Sequence, residues 1–119
     1  MVNFTLDTAV HSGCCDLIVA GEIDLYSAHD VAALGMLNLT EPRVTELIVD
    51  LSGVTFIDSS GLGALVRIRN IGLEFNKDVT FRNPSPQVRK LIKLTGLDGV
   101  LPETNARNGN GNGNSQFLE

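Results

Sequence analysis

Basic residues are nearly missing from the first half of this chain. Residues 1–58 hold nine acids and one base, Arg43, for a net of −8, while residues 59–119 hold five acids and eight bases, for a net of +3. The overall charge of −5 argues against a general nucleic-acid binder. Cysteine is also scarce. Cys14 and Cys15 are adjacent, a spacing that strains any bridge between them, and one pair does not build a disulfide framework. No histidine lies near them at a zinc-like spacing, so no metal site is expected. No apolar run is long enough for a membrane-spanning helix. The first ten residues alternate and carry Asp7, without the basic start and apolar centre of a secretion signal. A cytoplasmic protein is expected, and in that setting the sequons at Asn3 and Asn38 carry no meaning.

Enzyme motifs are absent as well. There is no Gly-x-x-x-x-Gly-Lys-Ser/Thr loop to cradle a nucleotide phosphate and no Gly-x-Ser-x-Gly elbow. A serine nucleophile would need a base, and the candidates are His11 and His29, both in polar contexts. Asp24 and Asp58 could pair for acid–base work, although acids at strand ends usually cap helices.

What is present is the pattern of one α/β domain of ordinary apolar content, 43%. Val2, Phe4 and Leu6 alternate with polar residues, and Leu17-Ile18-Val19-Ala20 is a short apolar run; with the turn residues His11-Ser12-Gly13 between them they predict a β-hairpin. Ser27 reads as an N-cap with Asp30 three residues on, which predicts a helix over 28–39 closed by Pro42. Leu47-Ile48-Val49-Asp50-Leu51 reads as a central, parallel strand buried on both faces. After Ser52-Gly53, Val54–Ile57 leads to Asp58. The next helix carries a core stripe of Ala64, Leu65, Ile68, Ile71, Gly72 and Phe75, with Leu62, Val66 and Leu73 as a second ridge that either packs in the core or meets a partner. Strand 78–81 follows, then a helix opened by Ser85-Pro86 and ended at Gly96, then a last short strand at Val100-Leu101. The expected fold is a mixed sheet of four to five strands covered by helices, over residues 1–103. Residues 104–119, with their Asn/Gly repeat, are expected to form a disordered tail.

Asp58-Ser59-Ser60-Gly61-Leu62-Gly63 is the most informative stretch. It stands where a strand gives way to a helix, at the carboxyl end of a central strand, where open α/β sheets place their sites. The first amides of a helix lack internal partners and carry partial positive charge. A serine there can act as a cap, as a nucleophile, or as a phosphate acceptor. Two serines where one cap suffices, and the bare positions Gly61 and Gly63, favour a docking and modification site. Glu22, Asp24, Asp50 and Asp58 form either an acidic rim around it or ordinary solvated surface.

The run Leu51 to Gly63 resembles the signature of STAS-type anti-sigma-factor antagonists, and Gly21-Glu22-Ile23-Asp24 resembles that family's second marker. The third helix and Thr95-Gly96-Leu97 fit the same pattern, so the likeness spans about residues 2–103. The resemblance implies a binding module rather than an enzyme, needing no cofactor. An anti-sigma factor that is itself a serine kinase would bind the unmodified protein and release a sigma factor. It would then phosphorylate Ser59 and be expelled, and a metal-dependent serine phosphatase would reset the cycle. Asp24, Asp58, Ser60, Gly61, Leu62 and Gly63 would meet the partner. The alternative is an accessory subunit of a transporter or signalling assembly, in which the serine is never modified.

Overall fold

The computed structural model describes residues 4–104, so the Asn/Gly-rich segment lies outside the described residues. The chain runs β1 (Phe4–His11), β2 (Cys14–Ile23), α1 (Leu25–Leu39), β3 (Glu46–Ile57), α2 (Ser59–Glu74), β4 (Asp78–Arg82), α3 (Pro86–Leu94) and β5 (Glu103–Thr104). The five strands form one sheet in chain order; β1 is antiparallel to β2 and every later pair is parallel. β3 is the central strand, as its apolar run predicts.

The expected hairpin is present. Ser12 and Gly13 both take positive φ, 52° and 81°, which fits the two-residue turn whose twist matches flanking strands. Ser52-Gly53 does not break β3. The residues continue as one strand, with register shifts against β2 that bring Gly53 beside Ala20, where a Cβ on Gly53 would lie 2.8 Å from the Ala20 Cβ.

Strand pairing sets the two faces of the sheet. Cys15, Leu17 and Val19 of β2, Leu47, Val49 and Leu51 of β3, and Val79 and Phe81 of β4 are buried in one cluster with Val31 and Leu39 of α1 and Leu65 and Ile68 of α2. Helices α1 and α2 therefore cover this face, and they meet closely at Gly35, where a Cβ would lie 2.8 Å from the Ile68 side chain. Burying these aliphatic groups supplies the main driving force for folding, about 25 cal/mol per Å² of apolar surface. Asp16, Asp50 and Arg82 alternate to the opposite face. There Arg82 reaches Asp50 at 3.0 Å and Asp16 at 3.8 Å, with the three side chains only 9%, 16% and 12% exposed in the order Arg82, Asp50, Asp16.

Five sequence expectations need correction. Helix α1 starts at Leu25, three residues earlier than expected, because Asp24 rather than Ser27 is its N-cap. The last strand is β5, not Val100-Leu101; those residues lie in turns, with Leu101 buried against the core. Phe75 leaves the core stripe because it is the C-cap of α2 and is half exposed. Leu62 is buried, so the proposed second ridge does not exist as one surface; only Leu73 is strongly exposed. Thr104, placed at the start of the tail by its composition, is the last residue of β5.

Candidate functional site

Two strand ends and two helix starts meet at one edge of the domain. Ile23, the last residue of β2, pairs with Ile57, the last residue of β3. Each is followed by an aspartate in extended conformation that caps the next helix, Asp24 for α1 and Asp58 for α2. The Asp58 N–H donates to the Ile23 carbonyl at 3.3 Å, which holds the two turns side by side.

The caps are unequal. Asp24 Oδ1 accepts from the Tyr26 and Ser27 amides at 3.0 and 3.1 Å. The Ser27 hydroxyl accepts from the Asp24 N–H at 2.9 Å and lies 2.9 Å from the Glu22 carbonyl, closing a capping box. Hydrogen bonding from Ser27 and then Tyr26 outweighs desolvation and holds the Asp24 carboxyl below its ordinary pKa. Among the described residues, Asp58 accepts only from the Gly61 amide, at 3.1 Å. The Ser59 and Ser60 amides at the start of α2 are thus left for solvent or a ligand.

Ser59 is exposed at the first position of α2, beside this carboxylate. It is not the cap, because Asp58 fills that role. Ser60 is half-buried and lines a groove of about 360 Å³ between α1 and α2, with Leu25, His29, Met36, Gly63 and Arg67. Among the described residues no hydrogen bond joins Ser59 or Ser60 to a histidine. His11 lies on the hairpin, 3.5 Å from Asp16.

The two glycines have different reasons to be there. A Cβ on Gly61 would lie 2.5 Å from Ile57 Cγ1 and 2.9 Å from Ile23 Cγ2, so the core demands glycine. A Cβ on Gly63 would meet nothing within 4 Å, and this position is open to an approaching chain. Leu62, like Gly61, is buried, and these two support the surface from beneath.

Of the acidic rim, Glu22, Asp24 and Asp58 gather at this edge. Asp50 does not: it sits within β3 and pairs with Arg82. Its burial pushes the carboxyl pKa up, but hydrogen bonds from Ser52 and Arg82 outweigh that and leave it lowered. The sequence reading missed three apolar side chains around the edge, Leu25, Tyr26 and Phe56, which are 65%, 82% and 50% exposed. Their signal was two large apolar residues directly after Asp24, once that residue is taken as a cap.

A family model described as "Mlab, STAS domain" matches residues 6–103. The chain is 34% identical over 101 residues to an anti-sigma-B factor antagonist of Listeria monocytogenes, covering 84% of this chain and 86% of the relative. Among solved structures, an anti-sigma factor antagonist from Mycobacterium paratuberculosis superposes with a TM-score of 0.76 at 28% identity, covering 88% of each chain. The anti-sigma factor antagonist SpoIIAA in its unphosphorylated form superposes with a TM-score of 0.70 at 25% identity, covering 85% of this chain and 87% of that one.

Proposed function

The chain belongs to the STAS domain family, and from that premise we propose that it is an anti-sigma-factor antagonist switched by phosphorylation of Ser59. The observation that carries the reading is an exposed serine at the start of α2, directly after the N-cap Asp58, whose strand end pairs with the one that leads to the N-cap Asp24. The names of the Listeria and Mycobacterium relatives support the antagonist role, and the naming of SpoIIAA by its phosphorylation state supports the switch.

In this reading the protein is a cytoplasmic binding module and not an enzyme. Unmodified, it binds an anti-sigma factor that is also a serine kinase, and a sigma factor goes free. The partner surface comprises Asp24, Asp58, Ser60 and Gly63, with Gly61 and Leu62 shaping it from below. The kinase then transfers the γ-phosphoryl group of ATP to Ser59 Oγ; the O–H bond breaks, the proton leaves to solvent or a kinase base, and ADP departs. A metal-dependent serine phosphatase hydrolyses the ester and restores the hydroxyl.

The electrostatics of the site favour release. Phosphate adds about −1.5 to −2 charge at neutral pH. In the free protein the helix start offsets that charge by about 0.3–2 kcal/mol. In a complex the phosphate is desolvated between Asp24 and Asp58, where like-charge juxtaposition costs several kcal/mol. The second effect is larger, so modification expels the partner and leaves the fold intact. A net loss of about 2.8 kcal/mol weakens binding roughly a hundredfold.

The test is incubation with the cognate kinase and ATP, followed by intact-mass measurement and site mapping. One added phosphate at Ser59, absent from Ser59→Ala, supports the reading. Modification at Ser60 alone, or none, overturns it and leaves the unmodified accessory-subunit role.

A further inference from the structure

Helix α3 presents a surface that the switch does not use. Val88 and Ile92 are buried, while Lys90, Lys93 and Leu94 face solvent. Between α3 and the end of β3 runs a groove of about 320 Å³, walled by Thr55 and Phe56 on one side and by Lys90, Leu91 and Leu94 on the other. Phe56 is 50% exposed and Leu94 73%. The size falls in the range of pockets that take compact ligands, about 300–1,000 Å³. Lys93 shares the adjoining surface with Lys90 and Leu94.

The charges here run against those of the whole protein. Arg89 is engaged by Glu103 at 2.6 Å. Lys90 and Lys93 make no ion pair among the described residues. Two unpaired cations flank an apolar groove in a chain whose net charge is −5.

We propose that the groove between β3 and α3 docks a short acidic segment of a partner protein, with apolar side chains seated between Phe56 and Leu94 and carboxylates facing Lys90 and Lys93. The chemistry selects this occupant. A basic segment would be repelled by both lysines. An extended anionic membrane or a nucleic acid would meet the chain's excess of acids beyond the groove, whereas a short segment lying along α3 faces Lys90 in the groove wall and Lys93 on the adjoining surface, with its carboxylates at the end away from Asp58. Ile57 also lines the groove and directly precedes Asp58, so the occupant sits beside the Ser59 turn. Ser60 opens on the α1–α2 groove instead. The Ser59 turn thus lies between two grooves.

The probe is an N-acetylated, C-amidated peptide of interspersed Glu, Asp, Leu and Phe, titrated into the 15N-labelled full chain. Expected are amide shifts confined to residues 55–57 and 87–94. Binding should weaken roughly tenfold in the Lys90→Glu/Lys93→Glu variant. It should weaken again as salt rises from about 0.01 M to about 1 M and the Debye length falls from about 30 to about 3 Å. Leu94→Ser, a surface change, should weaken it while leaving Tm unaltered. Equal binding of a peptide with every acid replaced by lysine, shifts centred on the α1–α2 groove, or no shifts at all would overturn the proposal. So would lysine-dependent binding to anionic phospholipid vesicles without binding to the peptide, which would reassign the surface to a membrane. Phosphorylation of Ser59 plays no part in these measurements, so they can fail while the switch stands.

Discussion

Asp24 and Asp58 stand at the same level of two adjacent parallel strands, because Ile23 pairs with Ile57 and the Asp58 N–H donates to the Ile23 carbonyl at 3.3 Å. Each carboxylate caps its own helix, so both are held in place before any phosphate arrives. The structure thereby separates two roles of the same side chain, capping and repulsion, and substitution can separate them as well.

Asp24→Ala removes the capping box and should lower stability, read as a drop in the urea midpoint. Asp24→Asn keeps a capping oxygen and removes the charge. Its stability should fall less than that of Asp24→Ala. With Ser59 phosphorylated, it should retain more of the kinase partner than phosphorylated parent does, because one like-charge contact is gone. Equal release from both proteins would remove Asp24 from the switch.

Gly61 and Gly63 should respond to alanine with opposite sign. Gly61→Ala drives a methyl into Ile57 and Ile23, and overpacking of this sort costs about 1–3 kcal/mol. Gly63→Ala meets open space inside a helix and should gain up to about 1 kcal/mol. If the partner approaches over Gly63, the same change weakens the complex while thermal stability rises. Calorimetry and a binding titration on one variant decide this.

Arg82→Met leaves Asp16 and Asp50 facing each other on the sheet without their cation. Removing one member of a buried charge network costs about 3–5 kcal/mol. A urea denaturation midpoint unchanged from the parent would show that the network is solvated in solution.

Acid should weaken the fold through Asp24 and Asp50, whose carboxyl pKa values are lowered in the folded state. A lowered folded pKa means that the unfolded chain takes up protons first. The stabilisation is complete above the ordinary carboxylate range and is lost as pH falls through that range to the lower folded values. Denaturation series at descending pH should show a smaller loss in Asp24→Ala than in the parent.

Cys14 should resist alkylation. Burial, with the charge of Glu46 adding to it, pushes its pKa to about 11, so little thiolate exists near neutral pH. Iodoacetamide should label the native protein far more slowly than the urea-unfolded chain. Equal rates would show that this end of β2 opens freely.

Most of the architecture was legible because the signals were local and redundant. The run Leu47–Leu51 announced a buried central strand, and Ser85-Pro86 announced α3. The start of α1 was not, because Asp24 and Ser27 are both cap formers three residues apart, and only the backbone shows which caps and which completes the box. β5 was missed because two residues of ladder leave no periodicity to read. The Asp16–Arg82–Asp50 network was invisible for a different reason. Its members are far apart in sequence and are brought together by strand register alone. At the switch, the serine and both aspartates were legible as a motif, but their adjacency depends on the Ile23–Ile57 pairing. The exposed Leu25, Tyr26 and Phe56 depend on where the caps fall.

The Ser12–Gly13 turn has a practical consequence. It opens β2, whereas the switch lies just past that strand's far end, ten residues away. At about 3.3 Å per residue the separation is about 33 Å. A fluorophore or affinity tag carried on this hairpin would report on complex formation without standing in the partner's way, and a short insertion there would lengthen a tight turn without disturbing either helix start.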